Sequence, residues 1–364
     1  MQAQIPKISV IVPVYNSART LEICLASLAR LADANHEVLV VDDGSTDGSV
    51  ALAQSLCESA GFTFLSLPCN KGQAVARNHG ARRATGTLLA FVDADVTVPE
   101  TWLTKYRELL AAHADVQVIC SGYVVSTGDA PPALFASHEA FFRRLTLPSL
   151  HLRTTTSANC IMDRRVFEEV GGYPEYYLDP RADPATQKAA AINEDSELGF
   201  LIAEQGHKIL WSHENYVRHH FRDSWRAYLR QQFGGARAGV VSVFQFPKIL
   251  ITKDLYAGEP ILPQLAVIAA MLAAPLLLPL GLPGLAAAGA IELSGLLFFA
   301  TFHARFFRYL GDGMGNYGRL RVFLWMLLAR VVWLCGVVLG LRDGCRMRIL
   351  RHFAPQAVAL AERR

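Results

Sequence analysis

Leu88-Leu89-Ala90-Phe91-Val92-Asp93-Ala94-Asp95 is an apolar run that ends abruptly in two carboxylates two residues apart. The same pattern stands upstream, where residues 37–41 run into Asp42-Asp43-Gly44-Ser45. Residues 8–12 are a third such run, β-branched and ending at Pro13. Helical spacing fills the gaps: Leu21, Cys24, Leu25 and Leu28 share one face of a predicted helix over 18–31. A second predicted helix, 49–60, stops at Gly61, and a third covers 73–84, after a strand at 62–67. Strands alternating with helices predict an α/β fold with a mainly parallel sheet wound on both faces. Ligands of such sheets bind beyond the carboxyl ends of the strands, where both acidic clusters fall.

Farther along, the pattern is mixed. A strand is expected at 116–121, short helices at 164–171 and 196–205, and a basic helix at 224–237 with Trp225, Tyr228, Leu229 and Gln232 on one side. Of the 364 residues, 52% are apolar and 18% charged, an imbalance that directs attention to a membrane segment. The excess lies after Pro260. Between Glu259 and His303 the only ionisable side chain is Glu292. A hairpin of helices at about 262–280 and 285–302, turning at Gly281-Leu282-Pro283-Gly284, is the simplest arrangement. A third apolar segment, 320–341, carries Arg330 at its centre. The hairpin returns the chain to the side of the first domain, and Arg305, Arg308, Arg319 and Arg321 then face the cytoplasm. A third crossing would put Arg342, Arg346, Arg348 and Arg351 outside, so 320–341 is expected to lie in the interface. The competing arrangement is a true third span, with Arg330 paired to Glu292.

The net charge of +3 and the lack of a long basic run argue against a nucleic-acid partner. The seven scattered cysteines form no CxxC pair, which fits a reducing compartment rather than a disulfide framework. No apolar stretch resembling a signal peptide stands near the N-terminus.

The chemistry concentrates in five places. Asp93 and Asp95 can put oxygens on a divalent cation such as Mg2+ or Mn2+ bridging a diphosphate, or can simply cap a turn. Asp42 and Asp43 can accept from a nucleotide base or ribose, or cap the following helix. Asn70-Lys71-Gly72-Gln73 and Ala76-Arg77-Asn78-His79-Gly80 place amides and cations at a helix start, suited to phosphate and ribose oxygens or to an ordinary surface helix. Glu194-Asp195 heads a predicted helix and offers a general base, or acids that suit the helix dipole. His213, His219 and His220 form a short patch from which one imidazole could join Asp93 and Asp95 on a metal.

In their order along the chain, Val10-Ile11-Val12-Pro13-Val14-Tyr15-Asn16, Val41-Asp42-Asp43-Gly44-Ser45, Asn70-Lys71-Gly72, Ala76-Arg77-Asn78 and Phe91-Val92-Asp93-Ala94-Asp95 resemble the donor half of family 2 glycosyltransferases. Gly171-Gly172-Tyr173-Pro174-Glu175, Glu194-Asp195 and Val217-Arg218-His219 resemble their acceptor half. The resemblance covers about residues 5–240. It implies the GT-A fold, with donor contacts from Pro13, Tyr15, Asp42, Asp43, Lys71, Arg77 and Asp93. It also implies metal ligation by Asp95, Asp93 and His219, with His220 as the fallback, and Asp195 as base with Glu194 beside it. The Gln-x-x-Arg-Trp motif of processive synthases is missing, and Asp179-Pro180 through Ala191 looks like an inserted acceptor loop.

The expected organisation is a catalytic domain over 1–250, its donor half about 1–125 and its acceptor half about 126–250, then an all-α membrane module over 251–364. The expected activity is inverting, metal-dependent transfer from a nucleotide diphosphate sugar to a hydroxyl of a lipid-linked saccharide or glycolipid. The catalytic domain would face the cytoplasm at the inner membrane. A polyprenyl-phosphate glycosyltransferase and an inactive nucleotide-binding membrane protein are the alternatives. A dinucleotide-dependent oxidoreductase would need a Gly-x-Gly-x-x-Gly turn where Pro13-Val14-Tyr15-Asn16 stands.

Overall fold

The computed structural model describes residues 5–124, 130–145, 150–175, 193–245, 266–267, 270–271, 273–302, 304, 309 and 319–353. Strands β1 (Ile8–Val14), β2 (His36–Asp42), β3 (Thr63–Ser66) and β4 (Leu88–Phe91) lie side by side in the order β3-β2-β1-β4, all parallel. Helices α1 (Leu21–Leu28), α2 (Ser49–Ala60) and α3 (Gln73–Arg83) make the crossovers. Successive strand residues point to opposite faces, and both faces are covered. Val10, Val12 and Val40 thus join one core layer, and Ile11, Leu39, Val41 and Phe91 join the other.

Past β4 the sheet changes character. The chain continues as β5 (Val96–Thr97), α4 (Trp102–Ala112), β6 (Val118–Tyr123), α5 (Pro131–Leu145), β7 (Leu150–Leu152), β8 (Cys160–Asp163), α6 (Arg164–Glu169), α7 (Glu194–Glu204) and β9 (Ile209–His219). β8 inserts between β4 and β6, antiparallel to both, while β9 runs parallel to β6 and pairs antiparallel with β5 and β7. The expected mainly parallel sheet is therefore parallel in its first half and mixed beyond it. Buried Asn159 ties this half together. Its Oδ1 accepts from Trp102 Nε1 at 2.9 Å and Tyr106 Oη at 2.6 Å, and its Nδ2 donates to the carbonyls of Gly122 and Asn215.

The basic helix is longer than its periodicity implies: α8 runs Trp225–Gln245. A 3-10 helix, Ala274–Leu280, and α9 (Leu282–Phe302) meet at Gly281, which has φ 72°, so a break falls where the hairpin turn is expected. The start of that hairpin's first arm and the inserted loop at 179–191 lie outside the described residues. The third apolar segment is the longest helix, α10 (Arg319–Phe353). Among the described residues, Leu320–Cys345 is the one helix long and apolar enough to cross a bilayer, by length and composition; the apolar part of α9, Leu282–Phe298, is shorter. α10 packs along α8, and Phe135 of α5, Tyr228 of α8 and Val322, Met326 and Ala329 of α10 share an apolar cluster. The catalytic and C-terminal parts expected on either side of residue 250 are thus joined through α8.

Candidate functional site

The pocket opens at the carboxyl ends of β1, β2 and β4. It has a volume of about 320 Å³ and is walled by Pro13, Tyr15, Asp43, Asn70, Gln73, Asp93, Asp95, Glu194 and Arg222, among others. Its loops are stitched to one another. Asn16, at φ 50°, accepts from Thr46 N through Oδ1, and Ser17 N donates to Ser49 Oγ at 2.8 Å. Asn tolerates this left-handed backbone better than most residues.

Asp42 and Asp43 divide their labour. Asp42 is fully buried and accepts from Gly44 N at 3.0 Å and Ser45 N at 3.2 Å, closing the β2–α2 turn. Asp43 reaches across to accept from Lys71 N at 2.6 Å and Gly72 N at 2.8 Å, so it clamps the α3 entry while forming part of the pocket wall. Gly44 has φ +70°, and a Cβ there would stand 2.5 Å from the Cys69 carbonyl carbon; no larger residue lets these loops meet.

Arg77 is the largest departure from the expected donor contacts. Its side chain is only 1% exposed and stands behind the wall. Nη2 donates to Asp93 Oδ1 at 2.7 Å and Nη1 to Glu194 Oε1 at 3.0 Å, with the guanidinium 5.2 Å from the Tyr173 ring centroid. Burial alone would drive a proton off Arg77, but Asp93, Tyr173 and Glu194 outweigh it and raise its pKa. Gln73, one helical turn earlier, donates to the same Glu194 oxygen. Burial pushes the Glu194 carboxyl up to about 7; Arg77 opposes this and Asp195 adds to it. Asp195 is half-buried and accepts from Ser196 N at 2.8 Å, and its carbonyl accepts from Thr155 Oγ1. Lys71 is buried as well.

β9 brings the histidine patch home in part. His219 Nε2 stands 3.6 Å from Asp95 Oδ1, too far for a hydrogen bond, with its ring 4.3 Å from Phe221 and 5.1 Å from Tyr123. Asp95 Oδ1 and His219 Nδ1 are buried atoms with no hydrogen-bond partner, which is costly unless something else occupies the gap. His220 turns away: its Nε2 meets Thr97 Oγ1 at 2.7 Å and its N–H donates to the Asp95 carbonyl. His213 is exposed and pairs with Tyr216 Oη. Among the described residues no three His, Cys, Asp or Glu side chains converge as a metal cage.

Arg222 is a pocket residue that the pattern does not single out, and Gln73 enters the pattern only as the end of the Asn70–Gln73 motif. Arg222 lies between the histidine patch and the basic helix and belongs to neither, while Gln73 reads as an amide for phosphate or ribose oxygens or as part of an ordinary surface helix. Only the fold brings Gln73 to Glu194.

The family model "Glycosyl transferase family 2" matches residues 9–171. The chain is 39% identical over 104 residues to "Uncharacterized glycosyltransferase YibD" of Escherichia coli, covering 29% of each chain. It is 34% identical over 118 residues to an "Undecaprenyl-phosphate 4-deoxy-4-formamido-L-arabinose transferase" of Sodalis glossinidius, covering 31% of this chain and 36% of the relative. The chain thus spans about a third of the length of these relatives. A solved structure, "Mannosyltransferase PcManGT from Pyrobaculum calidifontis in complex with GDP-Man and Mn2+", superposes with a TM-score of 0.57 at 19% identity, over 93% of this chain and 88% of that one. At that identity the likeness speaks for the fold. Residues 9–171 match the model of glycosyl transferase family 2, and the chain has the GT-A fold.

Proposed function

We propose that this protein transfers a sugar, with inversion and with help from a divalent cation, from a nucleotide diphosphate sugar to a hydroxyl of a membrane-held acceptor. The observation that carries this reading is the pocket that gathers Asp43, Asp93, Asp95 and Glu194 at the carboxyl ends of the parallel strands. Pro13, Tyr15 and Asp43 form the end suited to a base and ribose, and Arg222 supplies a cation at the rim for phosphate.

The buried, unpartnered Asp95 Oδ1 facing His219 fits a hard cation held by few protein ligands, with diphosphate and water oxygens as the rest. Asp95 and His219 would hold it, with Asp93 near but committed to Arg77. Such a cation offsets charge on the leaving diphosphate. The name of the solved mannosyltransferase complex, with its Mn2+ and GDP-Man, supports donor and ion class alike.

An inverting displacement needs its base on the side away from the leaving group. Glu194 lines the donor pocket and orients the sugar; Asp195, the next residue, is the base. Arg77 and Gln73 fix Glu194, so the donor and acceptor halves share one ion-paired core. The relative named as an undecaprenyl-phosphate transferase favours a second reading, in which a polyprenyl phosphate attacks and needs no base.

Asp195→Asn tests both. Transfer to a hydroxyl should fall about 10²–10⁴-fold with nucleotide affinity by calorimetry nearly unchanged. Full turnover with a polyprenyl phosphate would favour the second reading, and full turnover on a hydroxyl would remove Asp195 from its role. Asp95→Ala should erase the response of donor binding to added Mg2+ or Mn2+. An unchanged response would move the cation elsewhere.

A further inference from the structure

α8 and α10 run in the same direction, side by side, over most of their length. The Trp225 and Trp325 rings lie 4.4 Å apart at one end. Farther on, a Cβ at Gly336 would stand 2.4 Å from the Phe233 carbonyl oxygen, one at Gly340 2.7 Å from that of Arg237, and one at Gly344 2.3 Å from the Phe244 ring. Arg237 and Asp343 close the same seam with an ion pair. The partners' numbers rise together, so each level of α10 between Trp325 and Gly344 has a known neighbour on α8.

That pairing constrains where α10 can go. Its run from Val322 to Leu341 matches the thickness of a bilayer core, and taken alone it reads as a span. Level with the middle of that run, α8 exposes Arg226, Arg230 and Gln231. A crossing α10 would carry these groups to hydrocarbon depth, where nothing hydrates them. The opposite side of α10 is different: Leu320, Leu324, Leu328, Val338 and Leu341 are all exposed there. Arginines flank the run at 319 and 321 and again at 342, 346, 348 and 351. A pair of helices with one polar side, one leucine side and cations at both ends matches a surface of acyl chains topped by anionic headgroups.

We propose that α8 and α10 form one unit lying in the plane of an anionic bilayer surface, the leucine side of α10 inserted and the arginine side of α8 facing water. This deepens the membrane-held acceptor of the function proposed above and rests on it for its purpose, but not for its geometry. α8 starts three residues after Arg222, so the unit sets the rim of the donor pocket beside the headgroups, where an acceptor on a lipid carrier would present its reactive oxygen.

Exposed native cysteines give the test. In full-length protein in sealed membrane vesicles, variants retaining only Cys69, on the catalytic domain, or only Cys345, at the far end of α10, are treated with an impermeant maleimide. Both should label from the same face of the membrane; labelling from opposite faces establishes a crossing and overturns the proposal. Leu324→Glu combined with Val338→Glu should reduce flotation with vesicles of phosphatidylcholine and phosphatidylglycerol at least tenfold, while slow metal-dependent donor hydrolysis stays at the wild-type rate. Unchanged flotation would also overturn it. So would Cys335–Cys335 cross-linking that replaces vesicle binding, since the leucine side would then belong to a second copy. If wild-type protein hydrolyses no donor yet labels and floats as stated, the enzymatic reading fails and the in-plane unit stands.

Discussion

In the sheet domain Val10, Val12, Val40 and Phe91 are fully buried, whereas Leu276, Leu282, Leu320 and Val338 of the C-terminal helices are between 58% and 82% exposed. Both regions are rich in large apolar side chains, but they spend them differently. The sheet domain turns them inward and gains by removing them from water. α10 keeps Gly336 and Gly340 for its contact with α8, and α9 and α10 turn leucines outward. That inversion is unfavourable in water and neutral or favourable against acyl chains. Exposed apolar area of this extent marks an interaction surface rather than careless packing. With α8 and α10 on a bilayer as proposed, the two halves of the molecule obey one hydrophobic rule in two solvents, and α8 belongs to both.

The sharpest way to break this comparison is to truncate one apolar residue in each region. Phe91 is sealed between Phe167, at 5.5 Å, and Tyr173, at 5.2 Å. Phe91→Ala should cost about 3–5 kcal/mol by thermal or denaturant unfolding of the catalytic domain. Leu324→Ala, on the exposed side of α10, should shift unfolding in detergent by less than about 0.5 kcal/mol while weakening vesicle binding. Equal destabilisation by both would mean that the α10 leucines are packed against protein after all.

A middle-sized effect sharpens the place of α8. Gly340 accommodates the backbone of Arg237, so Gly340→Leu must push the helices apart, at about 1–3 kcal/mol. The expected readout is earlier proteolytic release of α10, together with loss of vesicle binding. Indifference to the change would show that the two helices do not depend on each other. The same seam bears on where the chain can be cut. Ending it near residue 246 would strip α8 of its partner and expose Phe233, Ala236 and Val240, so such a fragment should aggregate rather than gain solubility.

Much of the first half was legible because its physics is local. Each of the first four strands is an apolar run ending in a turn signal, and two end in acids, so the sheet and the pocket's acidic wall follow from pattern. The second half is set by contacts distant in sequence. β9 is buried through Ile209–Leu210–Trp211 but then passes His213 and Glu214 outward, so it loses the alternation of a strand. β8 is too short, and too poor in β-branched residues, to announce itself between β4 and β6. The residues alone offer one imidazole of His213, His219 and His220 to Asp93 and Asp95; the choice of His219 rests on the family resemblance. Arg77 reads as a phosphate contact because arginines near a helix start usually face outward; its burial depends on Glu194, which α7 delivers from far along the chain.

The last effect is graded with pH and concerns that same buried carboxylate; its sign follows from counting protons. Burial raises the Glu194 pKa from its ordinary value of 4.5 to about 7. Between those values the folded protein holds a proton on Glu194 that the unfolded chain has released. The associated stability is fully present below pH 4.5, declines as pH rises, and is gone above about 7, with a slope of at most about 1.4 kcal/mol per pH unit. Glu37 works in the opposite sense: burial opposes its charge, but bonds from Ser9, Thr85 and Lys7 prevail and lower it to about 2, so its contribution fades as pH falls from 4.5 towards 2. Asp33, lowered chiefly by its bond to Arg107, acts likewise. Those two contributions are common to the wild type and to Glu194→Gln, whose amide oxygen can still accept from Arg77 and Gln73, so subtracting the two stability profiles isolates Glu194. The difference, wild type minus variant, should fall across pH 4.5–7 and level off on both sides. A flat difference would mean that Arg77 keeps Glu194 ionised throughout. The pocket would then carry one more negative charge at neutral pH, and the donor's diphosphate would depend more heavily on the cation and Arg222.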